Sequence, residues 1–184
     1  LRKRTVQLIP NPNFNIAQEY SSVAAIPTQS YICDVWKYSK GGTMVHTASR
    51  STDVPTIAQV GRYVPYSLKL DCTTADTSLS GTDYQTLSVI IEGYDFQQLA
   101  GKSFDITFFH KHTTTGIYSI SARNAGTNRS FVAEYTQTVS NTWEKATVTI
   151  DASPSAGTWD YINGVGITIF WCNGVGTTYA NTPG

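Results

Sequence analysis

His110 and His112 stand two residues apart in strand-like sequence, a spacing that puts both side chains on one face of a strand. Two imidazoles so placed could present nitrogen ligands to one metal, and three copies about a threefold axis would supply six. One chain alone gives only two, and the run on into Thr113–Gly116 reads as a polar strand end, so no metal is expected. Sugar hydrolysis needs two carboxyl groups facing each other across a cleft, one with a raised pKa. The thirteen carboxylates fall mostly in or beside turns, or alternate outward on strands as Asp105 does. No Gly-x-Ser-x-Gly elbow, Cys–His protease signature or complete phosphate-cradling loop accompanies them. Neither catalytic residues nor a cofactor are expected, and the chain is not read as an enzyme.

Aromatic and hydroxyl side chains offer a different chemistry. Sugars stack their C–H faces on aromatic rings and hydrogen-bond through hydroxyls. Thr107 and Phe109 share the outward parity of one strand, Thr147 and Thr149 that of a second, and Thr168 and Phe170 that of a third. If those strands are neighbours in one sheet, all six side chains line one open face able to bind carbohydrate. The same face could be covered by a loop or a neighbouring chain, because exposed aromatic patches also mark protein interfaces. Trp159, Asp160 and Tyr161 follow a Pro/Gly-rich loop and form a second candidate platform, in which Trp159 could instead plug the end of the fold.

These residues need strands to hold them. Phe104, Ile106 and Phe108 alternate with polar residues, as do Ala146, Val148 and Ile150, and Val165, Ile167, Ile169 and Trp171. A period of two is the mark of a half-buried strand. Further strands are expected over Val6–Ile9, Tyr31–Tyr38, Thr43–Ala48, Tyr66–Cys72, Gln85–Glu92, Ile117–Arg123 and Ser130–Gln137. Turn signals separate them, among them Lys40–Gly42, Ser80–Asp83, Asn124–Asn128 and Ser153–Gly157. Only Gly93–Gly101 reads as a helical turn, with Asp95 a candidate N-cap. Nine or ten strands without a long helix predict an all-β fold, an antiparallel two-sheet sandwich whose core holds Leu87, Val89, Ile91, Phe104, Ile106, Phe108, Val148, Ile150, Ile167 and Ile169.

Composition sets the limits. The chain has 184 residues, 40% of them hydrophobic, enough for one core without disulfides. Thirteen basic and thirteen acidic residues cancel, and charged residues reach only 14%. Electrostatic capture of nucleic acid is therefore not expected. No apolar run is long enough for a transmembrane helix, so no membrane insertion is expected. Cys33, Cys72 and Cys172 are spaced for neither zinc nor a disulfide framework and read as three small buried hydrophobes.

Several segments resemble jelly-roll modules of bacteriophage and prophage tail fibres: Leu8–Gln18, Cys33–Lys37, Tyr66–Leu70, Gln85–Phe109, and Thr142–Lys145 leading into Thr147–Ile150. Those modules are similar in shape to carbohydrate-binding jelly rolls attached to glycoside hydrolases. The resemblance covers nearly the whole chain but rests on packing positions, so it specifies fold more than ligand. It implies structural work for Asp34 and Trp36; Trp143, which opens a strand, is expected to cover the core. It also implies a non-catalytic module of a virion surface, in a tail or fibre and outside the cell, that aids host attachment through weak binding of cell-surface glycan. The expected partners are further copies of the chain, most simply as a trimer, and other virion proteins. The alternative is a purely structural module joining fibre or tail subunits. Residues 1–10 are expected to be a lead-in from a longer polypeptide and residues 11–184 the module, stopping short of a last strand. Many carbohydrate-binding jelly rolls carry an acidic residue after the Asn-x-x-Phe opening as a calcium ligand. Here Asn15 stands there, which leaves open only a carbonyl-rich calcium site elsewhere.

Overall fold

The structure, a computed structural model, describes residues 7–151 and 159–173. Val6, the Ser153–Gly157 turn and the carboxyl-terminal segment after Asn173 lie outside them. The strands are β1 (Ser22–Val23), β2 (Ser30–Ile32), β3 (Trp36–Gly41), β4 (Val45–Ser51), β5 (Ser67–Thr74), β6 (Tyr84–Glu92), β7 (Ser103–His110), β8 (Gly116–Arg123), β9 (Ser130–Gln137), β10 (Glu144–Asp151) and β11 (Val165–Asn173). Two one-turn helices, α1 (Ile57–Val60) and α2 (Gly93–Phe96), interrupt them, and a 3-10 turn at Gln97–Leu99 follows α2.

All strand pairs are antiparallel. One sheet has six strands in the order β2-β3-β6-β11-β8-β9, and opposite it pack a pair, β7-β10, and a three-stranded sheet, β1-β4-β5. The fold is an all-β antiparallel sandwich. Its main core joins Val89, Ile91, Ile120, Ile167 and Ile169 of the large sheet to Ile106, Val148 and Ile150 of the β7-β10 pair. A second cluster joins Ile32 and Tyr38 to Ile26 and Ala48, with Leu68 packed against both clusters. Burying each such side chain contributes about 1.5–3 kcal/mol, so the alternating residues drive the two layers together. Of the expected core residues, Leu87, Phe104 and Phe108 are half-buried against this core and the other seven are buried.

Local departures from the sequence expectations have local causes. The strand expected over Tyr31–Tyr38 is broken by Cys33, Asp34 and Val35, at φ 50°, 20° and 70°. Three consecutive non-glycine residues near the left-handed region cannot extend a strand. The chain therefore turns there, and β2 pairs with β3 as a hairpin. Leu8 and Ile9 form no strand but pack against the main core as irregular chain. The one-turn α1 arises from a capping box, in which Thr56 accepts from the Gln59 amide and Gln59 accepts from the Thr56 amide. Asp95 is not an N-cap: Glu92 occupies that position, without a side-chain cap bond. The cysteines also part ways, since Cys33 is buried, Cys172 half-buried and Cys72 exposed on β5.

Candidate functional site

Pairing of β7 with β10 sets Thr107 opposite Thr147, and their hydroxyl oxygens lie 3.0 Å apart. Thr149 donates to Asp105 at 2.8 Å, and Phe109 lies half-buried opposite Lys145. Thr107, Phe109, Thr147 and Thr149 thus share one outer face, as their parity predicts. Thr168 and Phe170 do not join them. Their strand β11 lies between β6 and β8 in the opposite layer, so alternation points them outward on the far side of the sandwich. The six-residue face expected from the sequence is therefore divided between two surfaces.

The face that carries Phe170 is the richer one. Register sets Tyr31, Lys37, Ser88, Phe170, Ser121 and Val132 in one row across six strands. The adjoining row carries Ile90, Thr168, Arg123 and Ser130. The Arg123 guanidinium lies over the Phe170 ring, 5.0 Å from its centroid, and the Lys37 ammonium lies 6.0 Å from the Tyr31 centroid. Ser88 is buried and donates to the Lys37 carbonyl at 3.4 Å, so it forms floor between the two cations. Cys172 sits on the same face. Burial pushes its thiol pKa up, against the opposing effect of hydrogen bonds with Ser119 and Ser121. Arg123 and Lys37 did not stand out in the sequence because the long-range register of β11 with β8 brings Arg123 to its ring, and the hairpin at Cys33–Val35, where a continuous strand was expected, brings Lys37 to Tyr31.

Trp159 and Tyr161 line a pocket of about 480 Å³ at one end of the sandwich, with Asn124, Ala125, Gly126, Asn128, Asp160 and Ile162. Tyr161 is half-buried and stacks on Phe96 with centroids 5.6 Å apart. Trp159 is only 7% exposed and packs 5.4 Å from the same ring. Trp159 is therefore chiefly a plug, and Tyr161 is the more available ring. Asp160 accepts from the amides of Ile162 and Asn163 at 2.8 and 3.0 Å, which shapes the turn below the pocket. Asn124 is buried, donates to Asn128 at 2.6 Å and accepts from the Arg129 amide at 3.1 Å, and so organises the β8–β9 loop.

His110 and His112 do lie together, with ring centroids 5.5 Å apart, but among aromatic rings. His112 stacks on Tyr118 at 3.7 Å and lies 3.4 Å from the Tyr135 hydroxyl, while His110 Nδ1 is 3.0 Å from Gln137 Oε1. Burial, and then the neighbouring His110, lower the His112 pKa to about 4, with Glu144 opposing. The folded protein thus refuses a proton that the unfolded chain accepts below about 6.5. Stability attributable to His112 should be full above that pH and should fall as pH drops toward about 4. Allowing for the ring's partial solvation, the loss should be roughly 2 kcal/mol. Urea midpoints at pH 7 and near pH 4.5 would measure it, and His112→Gln should flatten the difference by that share. An unchanged profile in the variant would refute the assignment. His46 and His110, both lowered chiefly by burial, add in the same direction and remain in the variant.

Trp143 is half-buried and does not cover the core; it donates to Asp53 Oδ1 at 2.9 Å, while Lys111 pairs with Asp53 Oδ2 at 2.6 Å. These bonds hold the Asp53 carboxyl below its ordinary range and tie the β4–β5 connection to β7 and β10. At the Asn-x-x-Phe opening, the carbonyls of Ile16, Cys33 and Asp34 converge on the Asn11 amide nitrogen at 2.8, 2.8 and 3.3 Å. A cluster already served by an N–H donor does not fit a calcium ion, which requires oxygen ligands directed at itself. Among the described residues no group of three or more His, Cys, Asp or Glu gathers as a metal site. No helix among them is long and apolar enough to cross a membrane.

No protein-family model matches the chain, and no curated protein matches it in sequence. Among solved structures it is similar to the enzymatically active domain of tailspike protein 4 from bacteriophage CBA120, with a TM-score of 0.49 and 19% identity. That likeness covers 81% of this chain, which spans 19% of the other. At this level it says nothing about ligand or activity.

Proposed function

We propose that the chain is a non-catalytic module of a phage tail or fibre that contributes to host attachment by weak carbohydrate binding. The observation that carries the binding reading is the outer face of the six-stranded sheet, where Phe170 lies among Thr168, Ser121 and two cationic side chains. The resemblance of Leu8–Gln18, Cys33–Lys37 and Gln85–Phe109 to tail-fibre modules supports the setting. Support for the non-catalytic part comes from the end pocket. Asp160 is the one carboxylate among its described lining residues, and one of its oxygens already serves two backbone amides.

A shallow sheet face offers few stacking and hydrogen-bonding contacts, and association costs several kcal/mol of lost freedom. One copy should bind a glycan on the order of millimolar, and display on a trimer should raise avidity by about 10²–10⁴. Binding to a panel of host envelope glycans, by the single chain and by a trimeric fusion, tests the reading. Retention by the trimer and its loss with Phe170→Ala are the expected results. No retention by either form, with capture of purified tail proteins instead, would establish the assembly role. Shortening of a bound polysaccharide would overturn the non-catalytic part.

A further inference from the structure

The Arg123–Phe170 contact narrows the ligand class. A guanidinium held over a ring has lost part of its conformational freedom, while its N–H donors remain available in the plane of the fork. Arg123 is exposed at the end of β8, and among the described residues no carboxylate forms a salt bridge with it. Its neighbours in register are the hydroxyls of Thr168 and Ser130. Lys37 repeats the arrangement beside Tyr31, with no carboxylate paired to it among the described residues. Lys37 on β3 and Arg123 on β8 are separated by β6 and β11, so three strand spacings, about 14 Å, lie between them. This face displays two spaced cations, each next to an aromatic ring, while alternation sets the exposed carboxylates Glu92 and Glu134 toward its margins on β6 and β9.

We infer that the outer face of the six-stranded sheet binds a polysaccharide bearing repeated carboxylates, with Arg123 holding one carboxylate and Lys37 another. This rests on the carbohydrate-binding reading above and goes beyond it in naming the acidic class. The planar fork of Arg123 matches a carboxylate in a bidentate pair, a geometry that Lys cannot supply. Phe170 keeps the fork in place, and the hydroxyls of Thr168, Ser121 and Ser130 border the path of the sugar chain. Lys37 supplies the second, less directional contact, so spacing along the polymer contributes to selection.

The test uses the chain with polygalacturonate, hyaluronan and colominic acid, each compared with its carboxyl-reduced counterpart by titration calorimetry. At least one acidic polymer should bind about tenfold or more tightly than its reduced form, and added salt should weaken only the acidic one. Arg123→Gln should abolish that preference, Arg123→Lys should keep part of it, and Lys37→Gln should reduce it only for polymers long enough to span both cations. Urea midpoints equal to the parent would show that these surface variants fold. Equal affinity for acidic and reduced polymers, or an undiminished preference in Arg123→Gln, would overturn the inference while leaving carbohydrate binding intact. Failure of every polymer and of the host envelope glycans would remove the underlying reading as well.

Discussion

Replacing Gly166 by Ala is expected to cost about 3 kcal/mol of stability, the upper end of what overpacking a core usually costs. A Cβ on Gly166 would lie 2.6 Å from the Cβ of Phe96 and 3.0 Å from the carbonyl oxygens of Ile91 and Glu92. None of these atoms is the far end of a flexible side chain, so relief requires backbone movement. Gly166 sits where the β6–β11 register shifts, and its bare backbone lets Phe96 lie against β11. Phe96 in turn stacks on Tyr161 and packs against Trp159 and Phe104. The substitution should therefore loosen the end pocket along with the core. Urea unfolding would show the effect as a lower midpoint at an unchanged slope, since the surface exposed on unfolding stays the same. Gly101→Ala is the control. Gly101 has φ 63° and nothing within 4 Å of an added Cβ, so only conformational strain of about 1–2 kcal/mol applies. A Gly166→Ala cost no greater than that of the control would show that the close approach is unimportant.

Asn11→Ala should be the next most damaging change, at about 2–3 kcal/mol, because it removes several hydrogen bonds that act together. Its amide nitrogen donates to the Ile16, Cys33 and Asp34 carbonyls, and its side-chain oxygen accepts from the Ile16 amide at 3.1 Å. Its own carbonyl accepts from the Trp36 indole at 3.1 Å. These bonds fasten the Cys33–Val35 turn, whose positive φ values carry strain that the surroundings must offset. Asn11 itself has φ 45°, a conformation asparagine tolerates better than alanine. Asn11→Gly separates the two effects, since glycine accepts the backbone angle and lacks the side chain. Thermal unfolding of both variants should show most of the loss in each. Near-parent stability in the glycine variant would mean that the backbone angle, not the carbonyl cluster, is what Asn11 serves.

The direction in which the alternating strand side chains point was legible in the sequence. Alternation is a local property, fixed by the pleat, and it correctly sent Val89, Ile91, Ile106, Val148, Ile167 and Ile169 inward and Thr107, Thr147 and Thr168 outward. The same periodicity, sustained over many short segments, was enough for an all-β sandwich, because no helical stripe competed with it. Which strands lie side by side was not legible, since pairing joins residues far apart in the chain and every outward-facing strand satisfies alternation equally well. Tertiary structure placed β11 between β6 and β8 instead of beside β7 and β10, and so put Phe109 and Phe170 on opposite surfaces. It also set Arg123 over Phe170, 47 positions along the chain, and buried Trp159 against Phe96. The sequence by itself determined faces; the sheet order, chosen by long-range packing of the whole core, decided which residues share a surface and could act as one site.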